Sequence, residues 1–197
     1  MNISSFYPLI AYLAGSIPFG LIFSKLFGKG DIRKKGSGNI GATNVLRTQG
    51  KLLGLLTLIF DFSKAFLPCY FLRSESEICN LLVMVAPVVG HMFPIWLKFK
   101  GGKGVASFLG ILAALNIWVL LATVVIWLSL FTVTRISSVS CLTASACSLI
   151  LYKEFFLLDY PEYLHQFFAL AFLVVLIIIA HRSNLKRLWE GTEKPIK

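Results

Sequence analysis

Residues 105–133 read VASFLGILAALNIWVLLATVVIWLSLFTV, an apolar stretch without a charge and with Asn116 near its middle. It is either one long helix or two short ones broken near Asn116, and that choice sets the topology of everything downstream. A full hydrocarbon crossing takes about 20 residues, so length leaves both readings open. The loops decide. Residues 25–51 carry Lys25, Lys29, Arg33, Lys34, Lys35, Arg47 and Lys51 against the single acid Asp31. Residues 98–103 carry Lys98, Lys100 and Lys103; Arg135 follows the stretch; the tail holds Arg182, Lys186, Arg187, Lys194 and Lys197 against Glu190 and Glu193. Two other loops are acidic: Glu75 and Glu77 with Arg73, then Glu154, Asp159 and Glu162 with Lys153. One span over 105–133 would put the tail on the acidic side. Two spans put every basic segment on one side of the membrane and every acidic loop on the other, as the positive-inside rule requires.

Further apolar runs lie at roughly 5–27, 52–72, 79–97, 138–152 and 165–181. The prediction is therefore an all-α integral membrane protein, a seven-segment transmembrane helical bundle with some short helices. Its N-terminus lies outside and its C-terminus in the cytoplasm. The two middle segments, 105–116 and 117–133, need not both cross fully, so the bundle is expected to be locally thin or partly re-entrant.

Composition agrees. Of 197 residues, 57% are hydrophobic and 14% charged, with a mean hydropathy of +0.79. A soluble domain of this size cannot bury that much apolar surface, so the bilayer is the solvent, and the length suits one membrane-embedded domain over 1–197. On a soluble protein the net charge of +10 would point to nucleic acid. Here it reflects topology plus a site for an anionic ligand, and no nucleic-acid partner is expected. Cys69, Cys79, Cys141 and Cys147 form no CxxC pair and read as small buried hydrophobes. The three histidines are far apart in sequence, and neither a metal nor a cofactor is expected. The first run lacks a basic start and a convincing cleavage site, so it reads as a retained helix. No internal repeat of the kind found in transporters is visible.

Three segments on the basic side are polar beyond what topology asks. Residues 36–47 read GSGNIGATNVLR. Gly36, Gly38 and Gly41 free the backbone to turn and bring N–H groups to a ligand. Ser37, Asn39, Thr43 and Asn44 add neutral polar groups, and Arg47 a planar fork suited to phosphate. Such a run of N–H groups makes an anion-binding nest; the bland alternative is a flexible connection. Residues 101–104 read GGKG and lead straight into a helix. Gly101, Gly102 and Gly104 at a helix start offer N–H groups and a positive dipole end, and Lys103 adds a point charge. The GxxxxGK[ST] spacing of a nucleotide-binding loop is absent. Lys98 and Lys100 fit headgroup anchoring; Lys103, between glycines, fits it less well. The third segment, HRSNLKRLWEGTE from His181, places His181 and Asn184 at i and i+3 on one helix face, where a histidine can serve as a general base or bind a substrate hydroxyl.

Asp61 and Lys64, within the second span, can pair at i and i+3; an ion pair, a link to the basic loops and a direct catalytic role are all open readings. His91, after Gly90, is placed to line the same cavity. Pro18, Pro68, Pro87 and Pro94 are expected to kink or end helices. Trp96, Trp118 and Trp189 read as interface anchors.

In order, spacing and total length, GSGNIGATNVLR (36–47), GHMFPIWLKFKGGKGVAS (90–107) and HRSNLKRLWEGTE (181–193) resemble the three motifs of the bacterial acyl-phosphate:glycerol-3-phosphate acyltransferase family, over nearly the whole chain. The resemblance implies a seven-segment protein of the bacterial plasma (inner) membrane with a cytoplasmic active site. It implies transfer of an acyl chain from acyl phosphate to the 1-hydroxyl of sn-glycerol 3-phosphate, giving 1-acyl-glycerol 3-phosphate and phosphate, the first membrane step of phospholipid synthesis. It also implies functional coupling to the soluble enzyme that forms the acyl phosphate. Carried over position by position, His181, Asn184, Lys103 and Ser37 are the catalytic candidates. Arg47, Asn39, Thr43, Asn44, Gly101, Gly102, Gly104, Ser138 and His91 are the substrate-binding ones. Ser138 corresponds to a family serine near the substrate phosphate, with Ser137 beside it leaving the register open, and Glu193 is expected to fix the tail or a basic partner.

The residues suit that chemistry, since two phosphate-bearing substrates call for glycines with Arg and Lys, and an activated acyl phosphate demands no metal or covalent nucleophile. The His-x4-Asp pair of the other glycerolipid acyltransferases is absent. An anion or lipid transporter would also collect Arg, Lys and Gly, but the small size and lack of repeats stand against it. A phosphatidyl-alcohol transferase would need a carboxylate cluster where the inside loops offer only Asp31, Glu190 and Glu193.

Overall fold

The computed structural model describes residues 3–193 and residue 195, and among these every regular element is helical. In chain order the α-helices are α1 (Tyr7–Gly15), α2 (Phe19–Leu26), α3 (Ala42–Gln49), α4 (Lys51–Phe71), α5 (Glu77–Met92), α6 (Val105–Leu115), α7 (Ile117–Thr134), α8 (Ser137–Tyr152), α9 (Leu164–Ala180) and α10 (Arg182–Trp189). Among the described residues, five segments are long and apolar enough to cross a membrane: Lys51–Phe71, Glu77–Leu97, Ile117–Thr134, Ser137–Leu157 and Pro161–Ala180. Ile3–Gly15 and Phe19–Leu26 together make a sixth, bent by 42°. The seventh apolar run is α6, whose 11 residues at about 1.5 Å each fall well short of a roughly 30 Å hydrocarbon core. The chain is an integral membrane protein.

The decisive stretch is broken where the charges require. α6 stops at Leu115, and Asn116, in extended backbone (φ −156, ψ 114), caps α7 by accepting hydrogen bonds from the Trp118 and Val119 N–H groups. An Asn at that position satisfies N–H groups the helix leaves orphaned. The first polar segment differs from its reading as a loop. Its second half, from Ala42, is the helix α3, because only residues 36–41 need irregular backbone and Val45 gives the helix an apolar anchor.

The chain forms two compact units, Met1–Ala114 and Leu115–Lys197. In the first, α1 packs on α4 and α5, while α2 and α3 pack on α4. Backbones approach closely where glycine allows it: Gly15 lies against Pro87, Gly90 against Tyr12, and Gly110 of α6 against Phe62 of α4. Small residues at helix crossings let bilayer helices gain dispersion contacts where no hydrophobic effect drives them together. α4 is polar inside and apolar outside. Thr57, Asp61 and Lys64 are buried, whereas Leu55, Ile59 and Leu67 are exposed, which suits a lipid surround. The bend between α1 and α2 falls at Pro18, which has no N–H to continue the ladder. The Ile17 carbonyl left over there accepts a hydrogen bond from Lys64 Nζ at 2.8 Å. A small core of Leu21, Ile32, Ile40, Val45 and Leu53, with Leu97 packed against it, seats α3 and the first polar segment.

In the second unit, α8 packs on α7 and α9. α8 buries Ser137, Ser138, Ser140, Ser145 and Ser148; several of these hydroxyls return to their own helix, as Ser140 does to Ile136 O at 3.1 Å. Cys141 is buried and Cys69, Cys79 and Cys147 are partly so, all with free thiols. Trp96, Trp118 and Trp189 are exposed, as membrane-interface anchors should be.

Candidate active site

The first polar segment is shaped by one buried side chain. Asn44 accepts from Ser37 N at 3.0 Å through Oδ1, and its Nδ2 donates to Lys35 O at 3.0 Å and Asn39 O at 2.8 Å. Asn39 in turn accepts from Gly41 N at 2.7 Å. Gly36 and Gly38 take positive φ (57 and 73), and Gly41 does not. The structure thus gives Asn44 a different task from the one its motif position implied: it folds the loop that presents Ser37. Thr43 and Arg47, i and i+4 on α3, are both exposed. Replacing Asn44 by alanine removes three hydrogen bonds of about 1 kcal/mol each. A loss of about 2–3 kcal/mol in stability is expected, read as a lower unfolding midpoint in detergent.

The second polar segment is a hairpin-like return of the chain after α5. Lys98 and Phe99 turn it with positive φ (52 and 60). The strand-like stretch then runs back so that Gly101 N donates to Met92 O and Gly102 N to His91 O, both at 3.0 Å. Tyr12 Oη donates to Phe93 O at 2.8 Å and pins the start of the return. A Cβ on Gly101 would run into His91 O, and one on Gly102 into His91 Nε2. Gly104 takes φ +82 against Met92 and Val88, a conformation open to glycine, and α6 begins at the next residue. Lys103, half-buried, is held between these two fixed glycines. His91 itself is buried with Asp61 on one side and Gly102 on the other.

The third segment lies in the second unit. α9 ends at Ala180, and His181 is the joint to α10, its carbonyl accepting from Asn184 N at 2.8 Å and Leu185 N at 2.9 Å. His181 is buried, with Nδ1 2.8 Å from Ile177 O. A carbonyl oxygen only accepts, so Nδ1 carries the hydrogen and the neutral ring's lone pair is on Nε2. After α10, Gly191 (φ 66) reverses the tail. Glu193 then accepts from Asn184 Nδ2 (2.6 Å) and Ser138 Oγ (3.0 Å) on Oε1 and from Arg187 Nε (2.5 Å) on Oε2. Glu193 fixes the tail as expected, and Ser138, not Ser137, is the serine tied to this segment. The motif position of Arg187 was not singled out from sequence; a glutamate six residues on was its only signal.

Burial works to raise the Glu193 carboxyl, but the hydrogen bonds from Arg187, Asn184 and Ser138 outweigh it and hold the group below its ordinary value of 4.5. The stability this carries is present above the unfolded carboxylate value and is lost as pH falls through the folded one. The tail is therefore expected to loosen below about pH 4. Amide exchange at Thr192 and Glu193, whose N–H groups bond to Arg187 O, should speed up there. In Glu193→Gln it should already be fast at neutral pH.

Comparison with known proteins bears on these loops directly. The family model for glycerol-3-phosphate acyltransferase matches residues 5–191. A protein of that name from Pelagibacter ubique is 44% identical over 189 residues, covering 96% of this chain and 95% of its own. One from Jannaschia sp. is 45% identical over 189 residues, covering 95% and 90%. The crystal structure of PlsY, an integral membrane glycerol 3-phosphate acyltransferase, in its glycerol 3-phosphate form matches with a TM-score of 0.89 at 38% identity, over 100% of this chain and 96% of that one. Its lysophosphatidic acid form matches with a TM-score of 0.87 at 37% identity, over 98% and 95%. All three polar segments fall within these full-length matches, and the chain belongs to the glycerol-3-phosphate acyltransferase family.

Proposed function

We propose that the whole chain acts as one membrane-embedded catalytic domain that transfers an acyl group from acyl phosphate to the 1-hydroxyl of sn-glycerol 3-phosphate. The attacking oxygen bonds to the acyl carbon, the acyl–phosphate C–O bond breaks, inorganic phosphate leaves and the hydroxyl proton is taken up by a base. The products are 1-acyl-sn-glycerol 3-phosphate and phosphate. The observation that carries this reading is the full-length likeness to PlsY, whose two crystal forms are those of glycerol 3-phosphate and lysophosphatidic acid, an acceptor and its acylated product. An acyl phosphate as donor fits a site built from glycines, Arg47 and Lys103, since it brings a second phosphate and its own leaving group.

In this reading Arg47 grips a phosphate, with Ser37, Asn39 and Thr43 beside it in the first motif. The Gly101, Gly102 and Gly104 backbone with Lys103 cradles a phosphate and stabilises charge that develops in the transition state. His181 and Asn184 bind the glycerol backbone and orient the attacking hydroxyl, and Ser138 and Glu193 hold Asn184 in place. Asn44 shapes the first loop. The loops face the cytoplasm of a bacterial inner membrane, with the N-terminus outside, which lets the enzyme draw acyl phosphate from the soluble enzyme that makes it.

Purified protein in vesicles, given palmitoyl phosphate and glycerol 3-phosphate, should release lysophosphatidic acid and phosphate in equal amounts, and palmitoyl-CoA should not replace the donor. Product from palmitoyl-CoA alone, or none from acyl phosphate across detergents and pH, overturns the donor assignment. A C-terminal reporter that reads periplasmic overturns the orientation.

A further inference from the structure

Three ionisable side chains are buried in the first unit away from the residues assigned to substrate. Lys64 Nζ is 2.7 Å from Asp61 Oδ1, and His91 Nδ1 is 3.6 Å from the same oxygen; all three side chains are 2–4% exposed. Such groups inside a membrane are held only where they do something specific. Their surroundings say what. Each attachment of the Gly101–Gly104 turn that the described contacts show leads back to this cluster or to a residue next to it. Before Lys103, Gly102 donates to the His91 carbonyl and sits with its α-carbon on the His91 ring, and Gly101 donates to Met92 O. After Lys103, Ser107 Oγ, in the first turn of α6, donates to the Asp61 carbonyl at 2.9 Å. Asp61 faces His91 through its side chain and Ser107 through its backbone, so one residue of α4 references the turn on both sides of Lys103. Lys64 neutralises Asp61 and, through Ile17 O, ties it to the bend of the first span.

We propose that Asp61 and His91 are positioning residues of the acyltransferase: they set the register of the glycine turn and so the place of Lys103, touching no substrate themselves. His91 then acts on phosphate only through the turn, in place of the direct contact its motif position implied. This inference rests on the reading of Lys103 as a phosphate-binding group.

The test is a double-mutant cycle. Asp61→Leu with Lys64→Met replaces the ion pair by apolar residues of similar volume, an exchange that is often neutral or stabilising. His91→Gln is the second variant and leaves the ion pair intact. Each is made in the wild-type and the Lys103→Ala backgrounds, and kcat and KM for both substrates are measured beside the unfolding midpoint. Each is expected to lower kcat about tenfold or more with Lys103 present, and less than about twofold once Lys103 is gone, because residues that act as a unit are not additive. Equal fold-losses in both backgrounds, or a wild-type kcat in both variants, overturn the positioning role while leaving Lys103 as assigned. A wild-type rate in Lys103→Ala overturns the site reading itself, and the positioning role with it.

Discussion

Lys103→Ala is expected to lower kcat/KM at least about tenfold, about 1.4 kcal/mol of transition-state stabilisation or more. The turn that carries Lys103 is fixed by Gly101 N to Met92 O and Gly102 N to His91 O, and none of those contacts uses the lysine side chain, so its removal should leave the fold intact. What goes is a point charge among oriented N–H groups, where charge on a transferring acyl phosphate develops. Arginine is a poor replacement, because its planar fork needs a bidentate partner and more room than the space between two packed glycines. The measurement is steady-state kinetics in vesicles with each substrate varied, beside an unfolding curve that should not move. An unchanged kcat/KM would remove Lys103 from the site.

Gly101→Ala is expected to do comparable damage by a different route. A methyl group there would meet His91 O, Pro94 Cδ at 2.5 Å and Met92 O at 2.7 Å, which are backbone or ring atoms that cannot swing aside. Overpacking of this sort costs about 1–3 kcal/mol, and here the strain falls on the carbonyls that anchor the turn. Both activity, by at least about tenfold, and stability should fall together. Gly102→Ala meets the His91 ring instead, so pairing it with His91→Ala should recover part of the lost stability, whereas the same partner should not help Gly101→Ala. Equal rescue of both would show that the two glycines do not face the neighbours described.

Much of this was legible in the residues. The break at Asn116 followed from loop charges alone, and Pro18, expected to kink or end a helix, sits at the 42° bend. Asp61 and Lys64 were readable as a pair because i and i+3 is a local relation. Long-range partners were not. His91 lies thirty positions from Asp61 and Glu193 lies 55 from Ser138; periodicity says which face of a helix a residue takes, but not which helix that face will meet. Asn44 shows a second limit. A buried amide that folds its own loop and an amide that binds a ligand have the same composition and the same spacing from glycine, and only the hydrogen bonds to Ser37, Lys35 and Asn39 tell them apart.

The ion pair on α4 also bears on how the protein is made. Asp61 and Lys64 sit near the middle of a 21-residue helix, where the insertion machinery charges about 2.5–3.5 kcal/mol for each such residue entering lipid alone. The groups that receive Lys64 are Asp61 itself and the Ile17 carbonyl, and Ile17 emerges from the ribosome first. The second span is thus poorly suited to leave the translocon as an independent helix and well suited to leave it against the bent first one, so that biogenesis of the membrane domain begins with a helical pair.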